Sequence, residues 1–254
     1  MNPHQQYTSE LHAKFGYLAT WAPNLILHLG DVGTLRDHVF EPVTTLSKLG
    51  IPFEKRDSQS PADYEYVSSD SVSMQFKAAG EAPTLGSALT ATQAGITVQF
   101  GNESAVLFQA KKCQESTILG LDQLASGVIA LHEKGEWPLE HVIVTSLVSA
   151  EAATILISSG RNGRVDLVGD THLGTSGLLL ADASLNLQIA HVSNVGTRII
   201  AMTGLTPLFR ASGLKTRLLR RPTLTRRGRT PPSAEMATSG PAVRFAEVGY
   251  TDFD

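Results

Sequence analysis

Three stretches of this chain alternate apolar and polar side chains with a period of two, and that pattern limits the possible folds more than any other feature. Val72, Met74 and Phe76 alternate with Ser73, Gln75 and Lys77. Ile96, Val98 and Phe100 alternate with Thr97 and Gln99, and Val106, Phe108 and Ala110 repeat the pattern. Such a strand buries one face and wets the other, which favours antiparallel pairing over a parallel sheet covered on both sides. Further strands are expected at His141–Val148, Ala153–Ser158, Arg164–Val168, Leu185–His191 and Thr197–Met202. The first two of these form a pair in this reading. Gly101-Asn102 and Asn162-Gly163 have the composition of tight hairpin turns.

Helical spacing is clearest over Leu121–Lys134, where Leu121, Leu124, Val128 and Leu131 share a face and Gly135 sits where a C-terminal cap belongs. A shorter helix is expected over Tyr7–Trp21, with Leu11, Phe15 and Leu18 on one side and Pro23 ending it. Asn24–Leu35 reads as a strand entering a turn at Gly30-Asp31. Strands, one central helix and more strands give an α+β fold, a twisted, largely antiparallel sheet with few helices, rather than βαβ repetition.

Composition agrees with a folded chain. Of 254 residues, 42% are hydrophobic and 18% charged, enough apolar content to bury a core. Charge is unevenly divided. Residues 215–254 hold 8 Lys+Arg and 4 Asp+Glu, a net of +4, so the overall −3 leaves −7 on residues 1–214. The expected division is therefore a folded domain over 1–214 and a basic linker with a C-terminal segment over 215–254. Lys215, Arg217, Arg220, Arg221, Arg226, Arg227 and Arg229 carry the positive charge, and they suit acidic lipid headgroups or another polyanion. Nucleic acid is not the expected partner, since no aromatic residues interleave with the arginines. A Pro/Ser/Ala/Gly-rich stretch follows, then Val243, Phe245, Val248, Tyr250 and Phe253, more apolar than a free end requires. That end is expected to lie against the body as an added strand on a sheet edge. The lone cysteine, Cys113, excludes an internal disulfide and fits a reducing compartment. No apolar stretch is long enough for a membrane-spanning helix, and Met1–Phe15 lacks the pattern of a secretory signal. A cytoplasmic protein is expected.

The sequence offers little catalytic chemistry. His28, Asp31, Asp37 and His38 lie close together but lack the spacing of a metal site. Asp170 and His172 read as a polar loop. GTSG at Gly174–Gly177 lacks the spacing of a nucleophile elbow. Gly30 and Gly33 complete no nucleotide-binding fingerprint. Lys111 and Lys112 precede Cys113 and are of the sign that would lower a thiol pKa. No enzyme activity, no cofactor and no metal are expected.

Several segments, in order, resemble the pore-forming domain of the gasdermins. LILHLGDVGTL at Leu25–Leu35 is similar to a strand-then-LGDV segment of some members, and VSMQFKAAG at Val72–Gly80 stands where the family has a membrane-inserting hairpin. HVIVTSLVSAEAATILIS at His141–Ser158 resembles the family's valine-rich strand and its partner, and LNLQIAHVSNVGTRIIA at Leu185–Ala201 its final strand and turn. The resemblance implies a pore former that assembles as a homo-oligomer on anionic phospholipid membranes in cell death or defence, moving from cytoplasm to membrane on activation. It implies that Val72, Met74, Phe76, Ile96, Val98 and Phe100 insert. It also implies that the C-terminal segment inhibits until a protease removes it, as in bacterial members. The alternative from composition alone is a cytosolic interaction module with a basic tail.

Overall fold

The computed structural model describes residues 2–82, 85–169, 179–216 and 243–252. The chain opens with helix α1 (Pro3–Phe15), started by a capping box between Asn2 and Gln5 and by Pro3 in the first turn. Gly16, at φ 72°, accepts the left-handed conformation that ends it. The helix therefore begins earlier and stops sooner than its apolar spacing suggests, and Leu18 falls on the short strand β1 (Leu18–Ala19) instead. Residues 24–30 are irregular, and β2 (Asp31–Arg36) begins where a turn is expected from the sequence. β2 pairs with β3 (Val39–Thr45), where a Cβ on Gly33 would lie 2.1 Å from the Glu41 carbonyl oxygen.

Four long antiparallel runs make up most of the rest. The first is β4 (Glu54–Asp57), β5 (Ala62–Val67) and β6 (Val72–Lys77). The second is β7 (Gly95–Phe100) and the long β8 (Val106–Leu119). After helix α2 (Leu121–Glu133) comes the third, β9 (His141–Ser149), β10 (Ala152–Ser158) and β11 (Gly163–Val168). The fourth is β12 (Gln188–Ser193), β13 (Val195–Thr203) and β14 (Leu208–Thr216). Runs adjacent in sequence are adjacent in space. β8 pairs with β4 and β5 on one side and with β9 and β10 on the other, and β14 and β13 continue beside β9 and β10. These strands, with β1–β3 and β15 (Val243–Val248), form an eleven-stranded sheet. The far ends of the runs form a second, four-stranded sheet in the order β12-β11-β7-β6.

The two sheets are one meander folded across a line. Each run carries one left-handed residue where it passes between sheets: Asp70 (φ 55°), Ser104 (φ 60°), Asn162 (φ 55°) and Asn194 (φ 48°). For a residue with a side chain this conformation costs roughly 1–2 kcal/mol, least for Asn and Asp. Gly101-Asn102 and Asn162-Gly163 therefore do not close hairpins. β7 and β8 lie in different sheets, as do β10 and β11, and the turn residues bend each run over instead of reversing it. Nor do β9 and β10 pair with each other: both lie end to end along β8.

The strand periodicity sorts the core. Val106, Phe108 and Ala110 face α1, meeting Tyr7, Leu11 and Ile155, while Leu107 and Leu156 point the other way, toward the four-stranded sheet. Helix α2 seats Leu124 and Val128 against Val32, Ile143, Trp137 and Leu214, with Leu131 partly buried and Leu121 41% exposed. Gly135, at φ 76°, lies beyond its C-terminus, where the sequence places a cap.

Candidate functional site

The four-stranded sheet is two-faced. β6 and β7 pair so that Val72 opposes Phe100, Met74 opposes Val98, and Phe76 opposes Ile96. On the other side of β7, Val98 opposes Val165 and Ile96 opposes Leu167, and these oppose Val192 and Ile189 of β12. One face thus carries the rows Met74–Val98–Val165–Val192 and Phe76–Ile96–Leu167–Ile189. It packs on Ala105, Leu107, Leu156 and Leu180, and Ile96, Val98 and Phe100 are fully buried there. The burial ends at the margins: Phe76 is 48% and Ile189 44% exposed, the two outermost members of one row. The opposite face is polar, with the row Gln75–Thr97–Asp166–His191. The sequence locates the β6 and β7 members of this face, and the structure adds Val165, Leu167, Ile189 and Val192. The alternation of β11 and β12 could have found them, had the two sheets been recognised as one meander.

Among the described residues, no charged side chain guards either edge of this sheet. β12 carries no Lys, Arg, Asp or Glu. β6 carries only Lys77, whose side chain turns inward and is 4% exposed.

Where the polar face meets residues 85–94, Asp166 is wholly buried and saturated. It accepts from Thr97 Oγ1 at 2.6 Å, the Ala88 amide at 2.9 Å, Arg164 Nε at 3.1 Å and Ser87 Oγ at 3.2 Å. Burial alone would raise its pKa, but these donors and the Arg164 charge hold it below the usual carboxylate range.

The C-terminal segment docks on the large sheet. β15 adds antiparallel to the outer edge of β14, from Ala211–Val248 to Thr216–Val243. Phe245 reaches the α2 core, while Val248 and Tyr250 are buried beside Leu18, Phe40 and Phe209. The Tyr250 hydroxyl accepts from the Ala19 amide at 2.8 Å, and its ring stacks on His38 at 4.1 Å. Lys215, expected to contact an anion, is tied within the chain to Asp252 at 2.8 Å. Arg217, Arg220, Arg221, Arg226, Arg227, Arg229 and Phe253 lie outside the described residues, as do Asp170, His172 and Gly174–Gly177.

Cys113 is not an activated thiol. Burial, and then the nearby Asp63, push its pKa up to about 12. Neither lysine before it supplies a counter-charge: Lys111 pairs with Asp182 at 2.7 Å and Lys112 with Glu151 at 2.9 Å. Of the four polar residues near the first turn, His28 and Asp31 stay together, while Asp37 and His38 turn to other partners. Asp31 accepts from the His28 amide, Asp37 binds His4 and Gln5, and His38 meets Thr8 and Tyr250. Among the described residues no three His, Cys, Asp or Glu side chains converge as metal ligands, and no helix is long and apolar enough to cross a membrane. No known protein-family model matches the chain, and none of the curated proteins matches it.

Proposed function

We propose that this chain is a gasdermin-like pore former: it assembles on anionic membranes, lines a β-barrel with the strands of its four-stranded sheet, and is restrained by its C-terminal strand. The observation that carries the reading is the sheet with one apolar face, one polar face and two unguarded edges. A barrel in a bilayer needs apolar side chains outward, polar side chains inward, and no unpaired edge. Its four antiparallel strands leave β6 and β12 running in opposite directions, so β12 of one copy pairs antiparallel with β6 of the next. Such head-to-tail contacts generate rings.

A strand needs about 9–11 residues to cross a bilayer, and β6 and β7 have 6 each. The sequence can lengthen both. Continued from Lys77 opposite Gly95, the pairing runs one for one to Ala82 opposite Thr90. The apolar face then gains Ala78, Gly80, Ala82, Thr90, Thr92 and Ala94, without a charge. At the other end, β15 occupies the edge of β14, and its removal would free that edge for a neighbouring subunit. The anchoring of Val248 and Tyr250 in the core favours a strand that leaves only after the chain is cut between 229 and 241, a segment outside the described residues.

The test is dye release from liposomes of anionic or neutral lipid, with intact protein and with protein cut at an engineered protease site in 229–241. Cut protein should release dye from anionic liposomes, and intact protein far more slowly. Phe76→Asp should abolish release, since a charge on the lipid face costs about 2–4 kcal/mol at the midplane. Phe76 is the informative position because it is half exposed, whereas Val98 is wholly buried and its Asp variant would unfold the sheet. Binding to anionic lipid without release from any form of the protein would refute the pore and leave an interaction module with a basic tail.

A further inference from the structure

The middle of the polar face of the four-stranded sheet is covered by residues 85–94, which bury Thr97 and Asp166, while Gln75 and His191 at the margins of the same row stay exposed. We infer that this segment is a latched strap, with Asp166 and Lys77 as the two catches, and that it must leave before the β6–β7 hairpin can lengthen. The second half of that statement rests on the pore reading; the first does not.

The catches are of opposite charge and hold the strap by its backbone. Asp166, on β11, accepts from the Ala88 amide and the Ser87 hydroxyl of the strap while also holding Thr97 and Arg164 of the sheet. Lys77, at the end of β6, donates to the carbonyls of Gln93 at 2.7 Å and Ala91 at 3.2 Å. Between the catches Leu89 is 2% exposed, its methyl groups within 3.0 Å of where a Cβ on Gly95 would sit. Arg164 Nη1 reaches the Leu85 carbonyl at 3.5 Å. These contacts are incompatible with the lengthened hairpin. In that register Gly80 faces Thr92, whereas here its amide donates to Ala91 at 2.8 Å. Of the three charges on the polar face, Arg164 and Asp166 pair with each other, and Lys77 is met by backbone carbonyls, two of them from the strap. On the inner wall of a barrel they would be hydrated instead. The strap therefore separates two states of one hairpin, and its catches set how readily the second is reached.

Hydrogen exchange in the full chain, without lipid, tests the latch. Asp166→Asn removes a charged acceptor shared by two strap groups, so exchange at 85–94 should rise at least about tenfold relative to β9. Ser87→Ala touches only the strap side and should raise it less, while the far-ultraviolet circular dichroism stays that of the wild type. If Asp166→Asn unfolds the sheet, Ser87→Ala alone decides. Unchanged exchange at 85–94 in the folded variants would overturn the latch.

A tether tests the link to insertion. Ser87 Oγ and Thr97 Oγ1 lie 3.2 Å apart, so Ser87→Cys with Thr97→Cys places two sulfurs within bonding reach. Oxidised, tail-cut protein should release no dye from anionic liposomes, and reduction should restore release. Equal release in both redox states would show that the strap need not move. If no form releases dye, the pore reading fails, and the exchange result still decides the latch.

Discussion

In the eleven-stranded sheet every longer outer strand is defended, and in the four-stranded sheet neither outer strand is. β4 is charged at all four positions, Glu54, Lys55, Arg56 and Asp57. β3 has Glu41 and Pro42, β5 has Asp63 and Glu65, β13 has Arg198, and β15 has Arg244 and Glu247. Charges and proline on an edge are the common protection against pairing with another chain. The same four runs cross both sheets, so the difference is one of position along a run: the edges become pairing-competent only past the line of left-handed residues. On the proposed reading, the large sheet keeps its shape and the small one pairs with a neighbouring copy.

The comparison breaks first on stability. Phe108 is fully buried on β8 in the large sheet, while Phe76 is half exposed at the rim of the small one. Phe108→Ala should cost about 3–5 kcal/mol and Phe76→Ala about 1 kcal/mol or less, read from denaturation midpoints. Similar losses would mean that both sheets are equally fixed. Leu124→Ala on α2 should cost about 2–5 kcal/mol, because its side chain is buried against the large sheet. An unmoved midpoint would make that helix face a partner surface instead.

The fold line gives a smaller effect that depends on which residue replaces one left-handed position. Asn194 is left-handed, a conformation that β-branched residues resist. Asn194→Val should destabilise by about 1–2 kcal/mol and raise exchange in β12 more than in β9. Asn194→Gly should be near neutral. If valine and glycine behaved alike, the bend would not depend on this backbone geometry.

Much of the architecture could be read from the chain because strand alternation is local: β6, β7, the start of β8, and α2 fall where their periodicities put them. Asn162-Gly163 misled because a left-handed Asn serves a hairpin and a fold-over equally well, and at Gly101-Asn102 the left-handed residue is Ser104, two positions beyond the turn-like pair. α1 was misplaced for a related reason. The spacing of Leu11, Phe15 and Leu18 continues past Gly16, but the chain does not, since the glycine cap and the pairing of Leu18 with Phe209 override the period. The docked tail was legible from its unneeded apolar residues. The strap was not, because Asp166 and Ala88 are joined by tertiary contact alone, and nothing local in GRVDLV marks its aspartate as buried.

The smallest effect on stability should carry the largest consequence for assembly. Ile189 on β12 and Met202 on β13 are both exposed apolar residues on outer strands, at 44% and 42%. Lysine at either should change the stability of the single chain by no more than about 0.5 kcal/mol, since each side chain is already largely in water. They differ in what their edges do. β13 already bears Arg198, and a second charge there adds little protection. β12 bears none, and Ile189 ends the row that begins at Phe76. If β12 of one copy joins β6 of the next in the register that continues this row, Ile189→Lys puts an ammonium at the junction and on the lipid side. Tail-cut Ile189→Lys protein should then bind anionic liposomes but sediment as a monomer after detergent extraction, while Met202→Lys protein sediments as a large ring. Equal assembly by the two variants would place the subunit junction on some other edge. Loss of assembly in both would mean that the guarded edge of β13 is also used, and that edge charge does not separate the two sheets by function.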